Sequence, residues 1–163
     1  MKLHFKAAWF GLAAGLALAG TVAVAEPAKV APPAVGKDER LKLVLEPDER
    51  HLVLLEMRNF LHVVQTMIDA LTRQDMKTVA EAARSMGSGA ANEIPPKTVA
   101  KLPDDFKMLA GSVHTLFDVI ALDAESVGDP GHTLTQMSSL LQRCSACHSI
   151  YQVETKSLPR LKR

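Results

Sequence analysis

Apolar residues recur along most of this chain at helical spacing. After Glu46-Pro47-Asp48 come Met57, Leu61, Val64, Ile68 and Leu71, at intervals of four, three, four and three. That spacing predicts one apolar stripe on a helix from about Asp48 to Leu71, with Asp48 as N-cap and Glu49 in an acidic first turn. Asp75 restarts a shorter helix through about Met86, with Val79, Ala82, Ala83 and Met86 inward and Gly87-Ser88-Gly89 ending it. The stretch to Pro103 holds Pro95 and Pro96 and reads as a long loop. Asp104 caps a third helix to about Ala124, with Leu109, Val113, Leu116 and Ile120 on one face. Gly128-Asp129-Pro130-Gly131 is a turn. A fourth helix runs from about Thr133 past Tyr151, on a stripe of Met137, Leu141, Cys144, His148 and Tyr151. Four amphipathic helices, with no strand pattern and no internal repeat, predict an all-α fold: an antiparallel four-helix bundle over residues 48–155.

The first 47 residues follow other rules. Met1 to Lys6 is a basic start, Ala7 to about Val22 is apolar, and Ala23-Val24-Ala25 offers a small-x-small cleavage site. Residues 1–25 read as a secretory signal peptide; the cleavage site favours removal over an uncleaved anchor. No other segment is apolar for long enough to cross a bilayer, so no integral span is expected after processing. Residues 26–47 are rich in Ala and Pro with mixed charges and read as a flexible leader. Residues 156–163 form a basic tail, which could dock an acidic redox partner or an anionic surface; a frayed, solvated terminus is its commoner fate.

Charge and composition change the picture in two ways. Cleavage removes Lys2 and Lys6 from 19 basic residues and leaves all 18 acidic ones, so the mature chain is close to neutral. Nothing in that balance proposes nucleic acid as a partner. The aromatics that remain are Phe60, Phe106, Phe117 and Tyr151. A core so poor in aromatics has use for a flat apolar cofactor.

The chemistry is concentrated in Cys144-Ser145-Ala146-Cys147-His148, a C-x-x-C-H motif. Thiols three residues apart reach the two vinyl groups on one edge of a porphyrin, and the adjacent imidazole then falls over the iron. A thiol–disulfide oxidoreductase also uses C-x-x-C, but there the motif opens a helix within a β/α fold. A zinc site needs a fourth ligand and gains nothing from adjacent Cys and His. The expected cofactor is one covalent haem c, on Cys144 and Cys147, with His148 as proximal iron ligand. No Ser/His/Asp arrangement, phosphate loop or carboxylate pair forces a catalytic reading, so the chain is not expected to be an enzyme.

From roughly Asp48 to Val153 the chain resembles the class II c-type cytochromes, the cytochrome c-prime and cytochrome c556 group. The specific part of the likeness is Cys144 to His148 followed by the aromatic Tyr151. Members often carry Arg or Lys after that aromatic, where this chain has Gln152. The resemblance implies a four-helix bundle with the motif near the end of the last helix. Met57, in Leu55-Glu56-Met57-Arg58, resembles the first-helix Met that binds iron in six-coordinate members; five-coordinate members have an apolar or aromatic residue there and bind small gases.

Topology bears on the sixth ligand independently. In an antiparallel bundle the first half of helix one lies beside the end of helix four, which puts Met57 near the level of His148. Met67 falls deeper, Met76 and Met137 lie near the opposite end, and Met86 and Met108 lie close to helix termini. His114 is the rival ligand, beside the inward stripe of helix three, where a satisfied histidine is the commoner case. His51, His62 and His132 read as surface or boundary residues. Arg58 and Arg143 are candidates for pairing with haem propionates, although a solvated helix face is more usual. The expected function is one-electron transfer in the periplasm between redox partner proteins. The alternative is a five-coordinate protein binding nitric oxide or carbon monoxide. Relatives in this group often form homodimers, but no exposed stripe compels one here.

Overall fold

The computed structural model describes residues 36–156, and the compact unit begins at Asp38. The signal peptide, the leader as far as residue 35 and the tail from residue 157 lie outside the described residues. The described chain is mostly helical with one small sheet. In order it comprises β1 (Leu41–Leu45), α1 (Pro47–Thr72), α2 (Met76–Ser85), a 3-10 turn (Ala90–Glu93), α3 (Pro96–Val99), α4 (Asp104–Ser126), α5 (Pro130–Ile150) and β2 (Tyr151–Thr155). No helix among the described residues is long and apolar enough to cross a membrane.

The helix starts follow local chemistry. Pro47 at the first position suits α1, because its missing N–H would have no helical partner there. Glu49 reaches back so that the Glu46 N–H donates to its carboxylate at 3.1 Å. Glu46, not Asp48, is therefore the N-cap, and Asp48 lies inside the first turn. Asp75 caps α2 as expected, accepting from the Thr78 N–H at 3.0 Å and the Thr78 hydroxyl at 2.6 Å. Pro103, not Asp104, caps α4. Pro130 opens α5, and Asp129 accepts from the Gly131 N–H at 2.8 Å. Gly128 takes the left-handed φ of 66° that turns the chain between α4 and α5. In the expected long loop, the 3-10 turn and the single turn of α3 provide local order, and Lys101 ties the segment to Glu49 through two short bonds of 2.6 and 2.8 Å.

The sheet was not expected. β1 and β2 pair in parallel, from Leu41 opposite Tyr151 to Leu45 opposite Thr155. β1 lies inside the segment read as a flexible leader. Its sequence Leu41-Lys42-Leu43-Val44-Leu45 alternates burial, with Leu43 and Leu45 inward. β2 begins where the fourth helix was expected to continue. Tyr151 is already extended, at φ −117° and ψ 147°. Two branched residues, Ile150 and Val153, flank the change, and pairing with β1 rewards extension over another helical turn.

α1 packs on α2, α2 on α4 and α4 on α5, whereas α1 and α5 do not pack closely. The main core joins Met67, Ala70, Val79, Ala83, Phe117, Ile120, Met137 and Leu140. A second cluster joins Val53 at the start of α1 to Leu43, Leu45, Leu102, Phe106 and Tyr151, with Cys147 packed against it. The first half of α1 therefore meets the end of α5, and the second half of α1 meets its beginning: the two helices run antiparallel.

Candidate functional site

The buried stripe of α1 is Val53, Val63, Met67, Ala70 and Leu71. The expected stripe of Met57, Leu61, Val64 and Ile68 lies on the adjacent flank. There Met57 and Val64 are half-buried, Leu61 is 72% exposed and Ile68 is 47% exposed. α5 behaves likewise. Thr133, Met137 and Leu140 are buried, Leu141 is 45% exposed, and His148 is exposed. Tyr151 is buried, but from β2. Both helices thus turn an apolar flank toward an open groove.

One part of that groove, of about 500 Å³, is lined by Ile68 on one wall and by Leu134, Met137, Ser138, Leu141 and Ser145 on the other. A second part, of about 350 Å³, runs along Leu61, Val64 and Ile68. Volumes of roughly 300–1,000 Å³ are usual for cofactor clefts. The lining reaches Ser145, inside the C-x-x-C-H motif.

The motif occupies the last two turns of α5. Cys144 and Cys147 are half-buried and unbridged. Burial pushes both thiols up from their ordinary range. A thiol–disulfide exchange centre needs the reverse, a thiolate favoured at neutral pH. His148 carries the motif's imidazole at the surface, and its backbone carbonyl accepts a bond of 3.2 Å from the Arg40 guanidinium. That cation sits among carbonyls left free at the helix end, where positive charge is favourable. Asp38 holds Arg40 in place, and the guanidinium brings the Asp38 carboxyl down to about 2. Gln152 stands where a basic residue was looked for, and its amide donates to the Arg40 carbonyl at 3.0 Å. The basic group beside His148 therefore comes from the chain just before β1, which no local pattern around the motif could reveal.

Met57 lies on the groove flank of α1. Ile68, with which it shares that flank, meets α5 at Met137 and Leu141. Eleven residues back from Ile68 is Met57, and eleven residues on from Met137 is His148. In antiparallel helices both steps cover about 16 Å in the same direction. Met57 and His148 thus come to a similar level on opposite walls.

His114, the rival ligand, is committed elsewhere. It is buried in α4, with Nδ1 2.9 Å from the Met86 carbonyl and Nε2 3.5 Å from the Glu56 carboxylate. Phe60 lies against its ring. Burial alone would lower its pKa, but the Glu56 carboxylate and the Met86 carbonyl outweigh that and raise it. His51, His62 and His132 are exposed, as expected. Arg58 and Arg143 are exposed too. Sequence reasoning passed over Arg50, two turns before Met57, whose Nε is shielded from water with no hydrogen-bond partner among the described residues.

Comparisons with known protein families, with curated proteins and with solved structures returned no match for the chain. The site therefore rests on its own chemistry. Two free thiols and an imidazole border an apolar cleft, with a thioether across it and an unpaired guanidinium nitrogen nearby. That donor set fits a flat, apolar, carboxylate-bearing group attached through sulfur.

Proposed function

We propose that this protein is a monohaem c-type cytochrome of the bacterial periplasm that carries single electrons between redox partner proteins. In this reading α1, α2, α4 and α5 form an antiparallel four-helix bundle. The observation that carries the reading is the position of C-x-x-C-H: its unbridged thiols border the one long gap between neighbouring helices, and both walls of that gap are apolar. When bound, the haem supplies a one-electron couple between ferric and ferrous iron.

The chain's own residues have distinct tasks. Cys144 and Cys147 fix the cofactor through thioethers, so it survives local opening of the fold. His148 is the proximal ligand. Met57 approaches from the opposite wall as the distal ligand, and its soft sulfur favours the ferrous state. Leu61, Val64 and Leu141 keep water from the cofactor's faces, which their bare apolar surfaces favour. Export by the signal peptide delivers the chain to the compartment where c-type haem is attached.

The test is direct. Full-length protein expressed in cells that mature c-type cytochromes is denatured and weighed. One retained haem is expected, and a free-thiol or disulfide mass refutes the proposal. Spectra with and without carbon monoxide then decide coordination. A low-spin spectrum is expected, converted to high-spin and opened to carbon monoxide by Met57→Ala. A protein already high-spin and unaltered by that change is a gas binder instead. A low-spin spectrum that survives it assigns the distal position to another side chain.

A further inference from the structure

Arg50 is an anomaly at this end of the molecule. A shielded guanidinium nitrogen without an acceptor is unfavourable, and buried polar groups are ordinarily paired. The acids near Arg50 in the chain are taken: Glu46 pairs with Lys156 at 3.0 Å and Glu49 with Lys101 at 2.6 Å. Glu154, on β2, pairs with Lys42 at 2.7 Å. Arg50 precedes Met57 by seven residues, two turns, and so shares its flank of α1. It stands on the groove side, about 10 Å nearer the start of α1.

The placement of the thiols gives that position a meaning. Both cysteines precede His148 on α5, so the sulfur-bearing edge of a porphyrin lies toward Leu141, deeper in the groove. A porphyrin carries its two carboxylates on the side away from its vinyl groups. That side faces the end of the molecule where α1 begins, which is where Arg50 stands. We infer that Arg50 receives a propionate carboxylate of the cofactor, closing on it with the paired N–H geometry that guanidinium offers and ammonium lacks. This inference rests on the haem reading above. Arg58 and Arg143, the arginines the sequence put forward, are exposed on other faces.

The experiment uses the haem-loaded protein and reads the midpoint potential as a function of pH, with Arg50→Gln, Arg50→Lys and Arg58→Gln compared with the parent. A carboxylate beside a guanidinium is held ionised, and losing that partner raises its pKa by about one to three units. The potential falls as pH rises through a propionate's titration, because reduction favours the protonated form. In Arg50→Gln that fall is expected at a pH about one to three units higher than in the parent, and the potential above it is lower for want of a positive charge. Arg50→Lys should restore part of the effect, and Arg58→Gln should show none. If Arg50→Gln retains its haem and reproduces the parent's profile, the assignment is wrong. The same holds if Arg58→Gln shifts the profile equally, since general surface charge then explains it. A parent protein without covalent haem overturns the functional reading itself, a result that mass measurement gives before any potential is read.

Discussion

α1 has two apolar flanks, and they meet opposite fates. On one, Met67 and Ala70 disappear completely against α2 and α4, with Phe60 stacked on Phe117 at 5.5 Å between ring centroids. On the other, Leu61 and Ile68 stand open to water across from Leu134 and Leu141. Burying a Leu or Ile side chain is worth roughly 1.5–3 kcal/mol, so a chain that leaves a matched pair of such flanks apart forgoes substantial stability. The difference teaches that a helix can be amphipathic toward protein on one side and toward a cofactor on the next, and that burial distinguishes the two where hydrophobicity does not.

Substitutions on the two flanks sharpen that contrast. Phe117→Ala should cost about 3–5 kcal/mol by urea unfolding, with or without cofactor, because its cavity lies inside protein contacts alone. Leu61→Ala should cost less than about 0.5 kcal/mol in the haem-free chain but about 1–2 kcal/mol once the groove is filled. Equal costs in the two forms would mean that nothing covers the open flank.

A second probe lies on the packed side. The His114 pKa is raised by its partners, so its contribution is fully present below the unfolded value near 6.5 and is lost as pH rises through the folded value. Stability measured from pH 5.5 to 9 should fall over that window, with a slope approaching about 1.4 kcal/mol per pH unit. Glu56→Gln should flatten it. A slope unchanged by that substitution would place the titrating group elsewhere. The smallest effect is expected at the α2 cap: Asp75→Ala should lower stability by about 1 kcal/mol in both haem-free and haem-loaded protein. A cost confined to the loaded form would show that the two regions are coupled.

Much of this was legible in the sequence. The main helices begin and end within a few residues of their expected bounds, because Asp75, Pro130 and Gly128 act locally. The chemistry of Cys144, Cys147 and His148 was legible for the same reason. The phase of α1 was not. Val53, Val63, Met67 and Ala70 repeat as well as Met57, Leu61, Val64 and Ile68, and periodicity does not say which set faces protein. β1 was hidden by its length and its Pro-rich neighbours. It also depends on a partner strand that the sequence reads as the continuation of a helix. Arg50 gave no signal in sequence at all, since what marks it is a missing partner in three dimensions.

The parallel sheet carries a consequence for the order of assembly. Leu41 pairs with Tyr151, 110 residues later, whereas α1 meets α2 across a short turn. Contacts close in sequence form early, and long loops close late and at an entropic cost. The helical hairpins can therefore assemble while β1 waits for β2 to be made. An exported chain emerges N-terminus first, so the strand that secures the segment after His148 is among the last pieces to lock. Until it does, the end of α5 stays loosely held, and its two thiols remain within reach of whatever must act on them.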